Sequence, residues 1–136
     1  MIDKYIYELE FKVRDYECDL QGIVNNAVYQ NYLEHTRHEF LLKHNVSFSD
    51  LHIQGIDAVV ARVDIAYKYP LRSRDEFVCK LYVVKDGVKY VFHQAIYRTP
   101  DNKLCVTAKV TTVVTINGRL ASGYELFDGL AEVNNN

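Results

Sequence analysis

After Gly55 the apolar residues fall at every second position and keep that period through the rest of the patterned chain. Such alternation marks strands with one buried face, because successive side chains point to opposite sides of a sheet. The first segment sets Val59, Ala61, Val63, Ile65 and Tyr67 against Arg62, Asp64 and Lys68, and Pro70 ends it or bends it at an edge. A second segment runs over residues 77–84, and Asp86-Gly87 is a strong hairpin signal into a third at 89–98. Thr99 to Asn102 forms a turn before the longest segment, 104–116. There Leu104, Val106, Ala108, Val110, Thr112, Val114 and Ile116 share a face, and Asn117-Gly118 closes the run.

Before Gly55 the pattern changes twice. Residues 5–14 alternate Tyr5, Tyr7, Leu9, Phe11 and Val13 with Glu8, Glu10, Lys12 and Arg14, which predicts a half-buried strand. Between Ala27 and His44 the spacing of Tyr29, Tyr32, Leu33, Phe40 and Leu41 lengthens to three and four residues, the period of a helix of about five turns. Residues 45–55 carry Ser caps and a closing Gly and predict a short helix or turn. The order is strand, long helix, short helix and four strands. It predicts an α+β domain in which one long helix packs on an antiparallel sheet of about five strands. A single domain spanning residues 1–136 is expected, with 133–136 as a loose tail.

An open sheet leaves edges, and Val78, Val91 and Ala95 put apolar character on the side away from the helix. Both features predict a homodimer or homotetramer. Apolar residues at 49% and charged residues at 25% of the 136 place the chain among folded globular proteins. No segment approaches the roughly 20 apolar residues of a membrane span, and the first residues show no run resembling a signal peptide, so the cytoplasm is the expected location. The net charge of −2 and the lack of a basic stripe argue against a nucleic-acid partner. Cys18, Cys79 and Cys105 are odd in number and far apart, as reduced thiols would be.

The stretch from Cys18 to Arg37 holds the chemistry. Read from spacing alone, Asp19 is first a turn acid that bonds its own loop, while Asn25 and Asn26 are helix starters. Yet Asp19, Gly22, Val24, Asn26, Tyr29, Tyr32, Glu34 and Arg37 follow the pattern D-x-x-G-x-V-x-N-x-x-Y-x-x-Y-x-E-x-x-R. This resembles the hotdog-fold acyl-CoA thioesterases of the 4-hydroxybenzoyl-CoA thioesterase-like group. Tyr67, Pro70 and Asp75 match a further Y-x-x-P-x-x-x-x-D segment, so the likeness runs from about residue 5 to 119. One subgroup has His where this chain has Asn26. The Asn version looks more like members acting on fatty acyl thioesters, including plant-type acyl-carrier-protein thioesterases.

The resemblance implies an acyl-CoA hydrolase that releases a free carboxylic acid and CoA. Asp19 is then the general base or the nucleophile, and the backbone N–H of Asn26 at the helix mouth is the oxyanion donor. Gly22 allows a tight turn and close approach of the thioester to the backbone. Tyr29, Arg72 and Arg74 are the expected substrate-binding residues, the two arginines from a wider set with Lys68, Lys85 and Lys89 that faces the phosphates of CoA. No cofactor is expected beyond the CoA carried by the substrate. Asp15 and Glu17 are alternative carboxylates. Glu34 and Arg37 are expected to form an ion pair or to pack against the loop. His35, His38 and Glu39 offer a weaker metal reading without an H-E-x-x-H pattern, and His93 reads as a packed or surface residue. A domain that binds acyl-CoA or an acyl carrier protein without turnover is the alternative. An acyl-carrier-protein thioesterase is another, and a dehydratase lacks its His.

Overall fold

The structure, a computed structural model, describes residues 4–133. Strand β1 (Tyr7–Lys12) leads through a 3-10 turn at Asp15–Glu17 to helix α1 (Asn26–Lys43) and the short helix α2 (Phe48–Ile53). Four long strands follow: β2 (Ile56–Tyr67), β3 (Glu76–Asp86), β4 (Lys89–Thr99) and β5 (Lys103–Ile116). The chain closes with β6 (Arg119–Leu120), α3 (Glu125–Asp128) and β7 (Glu132–Val133). The main sheet runs β1-β3-β4-β5-β2, antiparallel throughout, with β6 added to β5 and β7 lying parallel to β3. Val133, expected to begin a tail, instead pairs its backbone with Lys85. Residues 134–136 lie outside the described residues.

Asn25 caps α1, its side chain accepting from the Ala27 N–H at 3.0 Å. The expected inward residues Tyr29, Tyr32, Leu33, Phe40 and Leu41 are all buried. The N-terminal half of α1 sits on Val13, Val24, Leu71, Phe77, Cys79, Ile96 and Val106. The C-terminal half sits on Val46, Leu51, Leu81, Val83, Phe92, Val110, Val114 and Phe127. Burying such side chains stabilises the domain by about 1.5–3 kcal/mol each. All three cysteines are free thiols, and burial pushes Cys79 up to about 12.

Two strands depart from simple alternation. In β5, Ile96 pairs with Val106 and Tyr97 with Leu104, which leaves Cys105 as a bulge, so Leu104 sits opposite the outward Tyr97 and does not share the inward face expected for it. In β2, Val60 pairs with Thr112 and Arg62 with Thr111, which leaves Ala61 as a bulge. The extra residue shifts the period by one. Ile56, Ala58 and Val60 therefore share the helix-facing side with Val63, Ile65 and Tyr67, while Val59 points outward instead of inward. Because β2 is a sheet edge, this inner face is only part covered: Val60 is 45% exposed, Val63 37% and Tyr67 47%. Val78, Val91 and Ala95 do lie on the outer face, but they are 8%, 7% and 0% exposed, so neighbouring side chains already cover them. The exposed apolar stripe belongs to β2.

Candidate active site at the mouth of the helix

The loop before α1 is braced on three sides. At its base Cys18 bridges to Val24, and the Asn25 N–H donates to the Glu17 carbonyl at 3.0 Å. At its tip the Asp19 N–H donates to the Ile23 carbonyl at 2.9 Å and the Gly22 N–H to the Asp19 carbonyl at 3.0 Å. Across from it, Ile23 pairs with Arg72, and the Val24 N–H donates to the Leu71 carbonyl at 2.9 Å. The Ser73 hydroxyl donates to Asp15. Two loops and the start of α1 thus meet at one end of the molecule.

Asp19 stands exposed at this tip. Its Oδ1 accepts from the Gln21 N–H at 2.8 Å and from the Ile23 N–H at 3.4 Å, while Oδ2 has no partner among the described residues. The turn-acid geometry and an available carboxylate oxygen coexist on one side chain. Gly22 takes φ +78°, a conformation that disfavours any side chain. A Cβ built there meets nothing within 4 Å, so it is the backbone conformation and not crowding by the protein that calls for glycine. Asn26 opens the helix. Ala27 and Val28 donate to Asn25, whereas the Asn26 N–H has no partner among the described residues. The positive end of the helix macrodipole lies at the same point.

The carboxylate that matters for shape is Glu17. It is 8% exposed, and its Oε1 accepts both from the Tyr32 hydroxyl at 2.8 Å and from the Arg14 N–H at 2.8 Å. Burial and the adjacent Glu17 push the Tyr32 phenol well above its ordinary value, so it remains a donor. Burial first, then Asp15, Glu17, Asp19 and Asp75, raise the Cys18 pKa, which disfavours its thiolate.

A groove of about 230 Å³ opens beside the helix mouth between Ile23, Asn26, Tyr29, Tyr67, Lys68 and Tyr69. The Tyr29 ring forms part of its wall, but its hydroxyl is occupied, accepting from the Leu71 N–H at 3.0 Å. The Tyr67 hydroxyl donates to the Asn26 carbonyl at 3.3 Å. Arg72 and Arg74 are exposed in the facing loop, and neither side chain makes an ion pair among the described residues. Lys68 lines the groove itself. Lys85, by contrast, is engaged with Asp128 at 2.9 Å and belongs to the far end.

One expectation from the helix changes. Glu34 is exposed and makes no ion pair with Arg37, which turns inward and donates from Nη1 to Gln94 Oε1 at 3.0 Å. His35 meets Glu39 at 3.8 Å, and no group of three or more metal-ligating side chains occurs among the described residues. His93 is half-buried on the outer face, stacked on Tyr82. Glu17 and the Arg37–Gln94 pair escape sequence reading because their partners are distant in the chain. Tyr67 and its seam with α1 were signalled only by the Y-x-x-P match.

The thioesterase-like superfamily matches residues 13–123, which takes in the loop, α1 and all four long strands and leaves out β1. The chain belongs to that superfamily. Acyl-acyl carrier protein thioesterase ATL2 of Arabidopsis thaliana chloroplasts is 38% identical over 110 residues, covering 79% of this chain and 57% of that protein. The chain thus spans little more than half the length of that relative. The putative acyl-CoA thioesterase YneP of Bacillus subtilis is 29% identical over 105 residues, 76% of this chain and 75% of that one. Slr0204, a 1,4-dihydroxy-2-naphthoyl-CoA thioesterase from Synechocystis, superposes with a TM-score of 0.85 at 12% identity over 91% of this chain and 93% of that chain. At that identity the likeness establishes the hotdog fold alone. Among the described residues no helix is long and apolar enough to cross a membrane.

Proposed function

We propose that this thioesterase-like domain hydrolyses acyl thioesters of CoA, releasing a free carboxylic acid and CoA. The observation that carries the reading is the presence, on one short loop and the helix it leads into, of an exposed Asp19 carboxylate with Oδ2 unpartnered and an Asn26 N–H at the start of α1 that is unpartnered, both among the described residues. In this mechanism the thioester carbonyl oxygen accepts from the Asn26 N–H. Asp19 Oδ2 takes a proton from a water as that water attacks the carbonyl carbon. The tetrahedral intermediate collapses, the C–S bond breaks, and the proton held by Asp19 goes to the departing thiolate. The nucleophilic variant of the same chemistry has Oδ2 attack first to give a mixed anhydride that water then hydrolyses. Gln21 and Ile23 N–H groups hold the carboxylate in either route.

Arg72, Arg74 and Lys68 supply the cations for the CoA phosphates at this end of the molecule. A second substrate class, acyl groups on a carrier protein, is favoured by the 38% identity to a protein named as an acyl-acyl carrier protein thioesterase. A homodimer through the exposed edge strand β2 completes the proposal, since an unpaired apolar edge invites pairing with a second copy.

Thiol release from matched aliphatic and aryl acyl-CoAs and acyl-carrier-protein esters tests the reading. Hydrolysis of CoA esters is expected, and preference for the carrier-protein esters would move the substrate to the second class. Tight binding of acyl-CoA with no thiol released from any ester would replace the enzyme with a binding module.

A further inference from the structure

We propose that Arg37 is a specificity-determining residue in a distal acyl pocket, where its guanidinium receives a neutral oxygen, hydroxyl or keto, carried on the far part of the acyl chain. The inference rests on the thioesterase reading for where the chain enters, and its test keeps the two separable.

The seam between α1 and β2 holds a line of cavities. The groove of about 230 Å³ at Asn26 and Tyr67 comes first. A second of about 220 Å³ follows, walled by Gln30, Leu33, Val63 and Val110. A third of about 190 Å³ lies beyond, between Phe40, Leu41, Ala58, Val60, Phe92 and Val114. The helix and the edge strand run antiparallel, so the three follow one another along the half-covered inner face of β2. Arg37 and Val60 border both the second and the third. Arg37 lies three turns below Asn26, about 16 Å along the helix axis.

A cation is out of place in such walls unless something answers it. Arg37 is 8% exposed, although an arginine on a helix can extend its stem and leave the charged head in water. It makes one hydrogen bond, to Gln94 Oε1, and no carboxylate comes within ion-pair distance of it among the described residues. Gln94 is held in turn, its Nε2 donating to the Leu33 carbonyl at 3.0 Å, so its oxygen is fixed toward the guanidinium. Every fully buried side-chain nitrogen and oxygen among the described residues has a partner, so an Arg37 nitrogen without one keeps accessible surface, and Arg37 borders both cavities. Burial lowers the Arg37 pKa, opposed chiefly by the Glu34 charge. Glu34 borders both cavities too and would repel a carboxylate, which makes a neutral oxygen the fitting acceptor. A site built around a donor discriminates against ligands that leave it unpaired.

The test compares ω-hydroxydodecanoyl-CoA, β-hydroxydodecanoyl-CoA and dodecanoyl-CoA as substrates, and the three free acids as ligands by calorimetry, on wild type and Arg37→Met. In wild type the ω-hydroxy chain is expected to be favoured over the plain chain by roughly tenfold or more. Arg37→Met should bring that ratio toward one, and the β-hydroxy chain, whose oxygen stays near the thioester, should show no advantage that depends on Arg37. No preference in wild type, or a preference that survives Arg37→Met, overturns the proposal. If Arg37→Met does not fold, the wild-type ratio decides alone. If no ester is hydrolysed, the affinities of the free acids decide, so a failed thioesterase reading is not mistaken for a failed pocket.

Discussion

Replacing Tyr32 by Phe removes one oxygen from the contact that ties the Asp19 loop to α1. Its hydroxyl donates to Glu17 at 2.8 Å, and Glu17 is buried and also holds the Arg14 N–H on the same oxygen. The Arg14 guanidinium, 3.7 Å away on a side chain 66% exposed, adds little. Losing a hydrogen bond to a charged buried group costs about 1.5–3 kcal/mol, which for a chain of this size lowers Tm by roughly 5–10 °C. Glu17→Gln should cost about half as much, because its amide oxygen accepts from both donors and only the charge is lost. Urea unfolding at fixed protein concentration measures both variants, with the loss appearing in the midpoint and not in the slope. Tyr32→Phe within 0.5 kcal/mol of wild type would refute the claim that this bond holds the helix mouth together.

Acid should weaken the fold in part through His93. Burial, then repulsion from Lys109 and Lys4, lowers its pKa, and Tyr82 stacks on its ring at 4.6 Å. The unfolded chain binds that proton at higher pH than the folded one, so stability is intact above about 6.5 and is lost as pH falls toward the folded-state pKa. His93→Gln should flatten that part of the denaturation-versus-pH curve, and an unchanged curve counts against it. Replacing both Arg72 and Arg74 by Ala should raise KM for acyl-CoA more than for a short thioester lacking the nucleotide; equal losses would indicate damage to the loop instead. Light scattering at micromolar concentration should give twice or four times the chain mass, and a monomer alone would contradict pairing through β2.

The elements were legible where one period dominates. Five buried positions of α1 follow its three- and four-residue spacing, and the Asp86-Gly87 and Asn117-Gly118 turns stand where strands end. The Ala61 bulge was not legible, because Val59-Val60-Ala61 contains no glycine and only pairing with Thr111 and Thr112 reveals the extra residue. Helix α3 is four residues long, too short for a period, and is held by Phe127 packing on Tyr90. At the site, Asp19 and Gly22 stand out by spacing and by resemblance. The roles of neighbouring acids do not: Asp15, Glu17 and Asp19 look alike in sequence, and only the 3-10 turn and Tyr32 decide that Glu17 is the buried one. Arg37 read as paired with Glu34 or packed against the loop because its partner, Gln94, is 57 residues away.

Asp19→Asn is the most direct test of the mechanism. Asn keeps the size of the side chain and an oxygen for the Gln21 and Ile23 N–H groups, while it removes the charge that activates water. Thiol release measured beside thermal unfolding separates chemistry from folding. Turnover is expected to fall by roughly a hundredfold or more while Tm stays near that of wild type. Full activity in this variant would contradict the mechanism, and loss of the fold would make Asp19 a turn residue and nothing more.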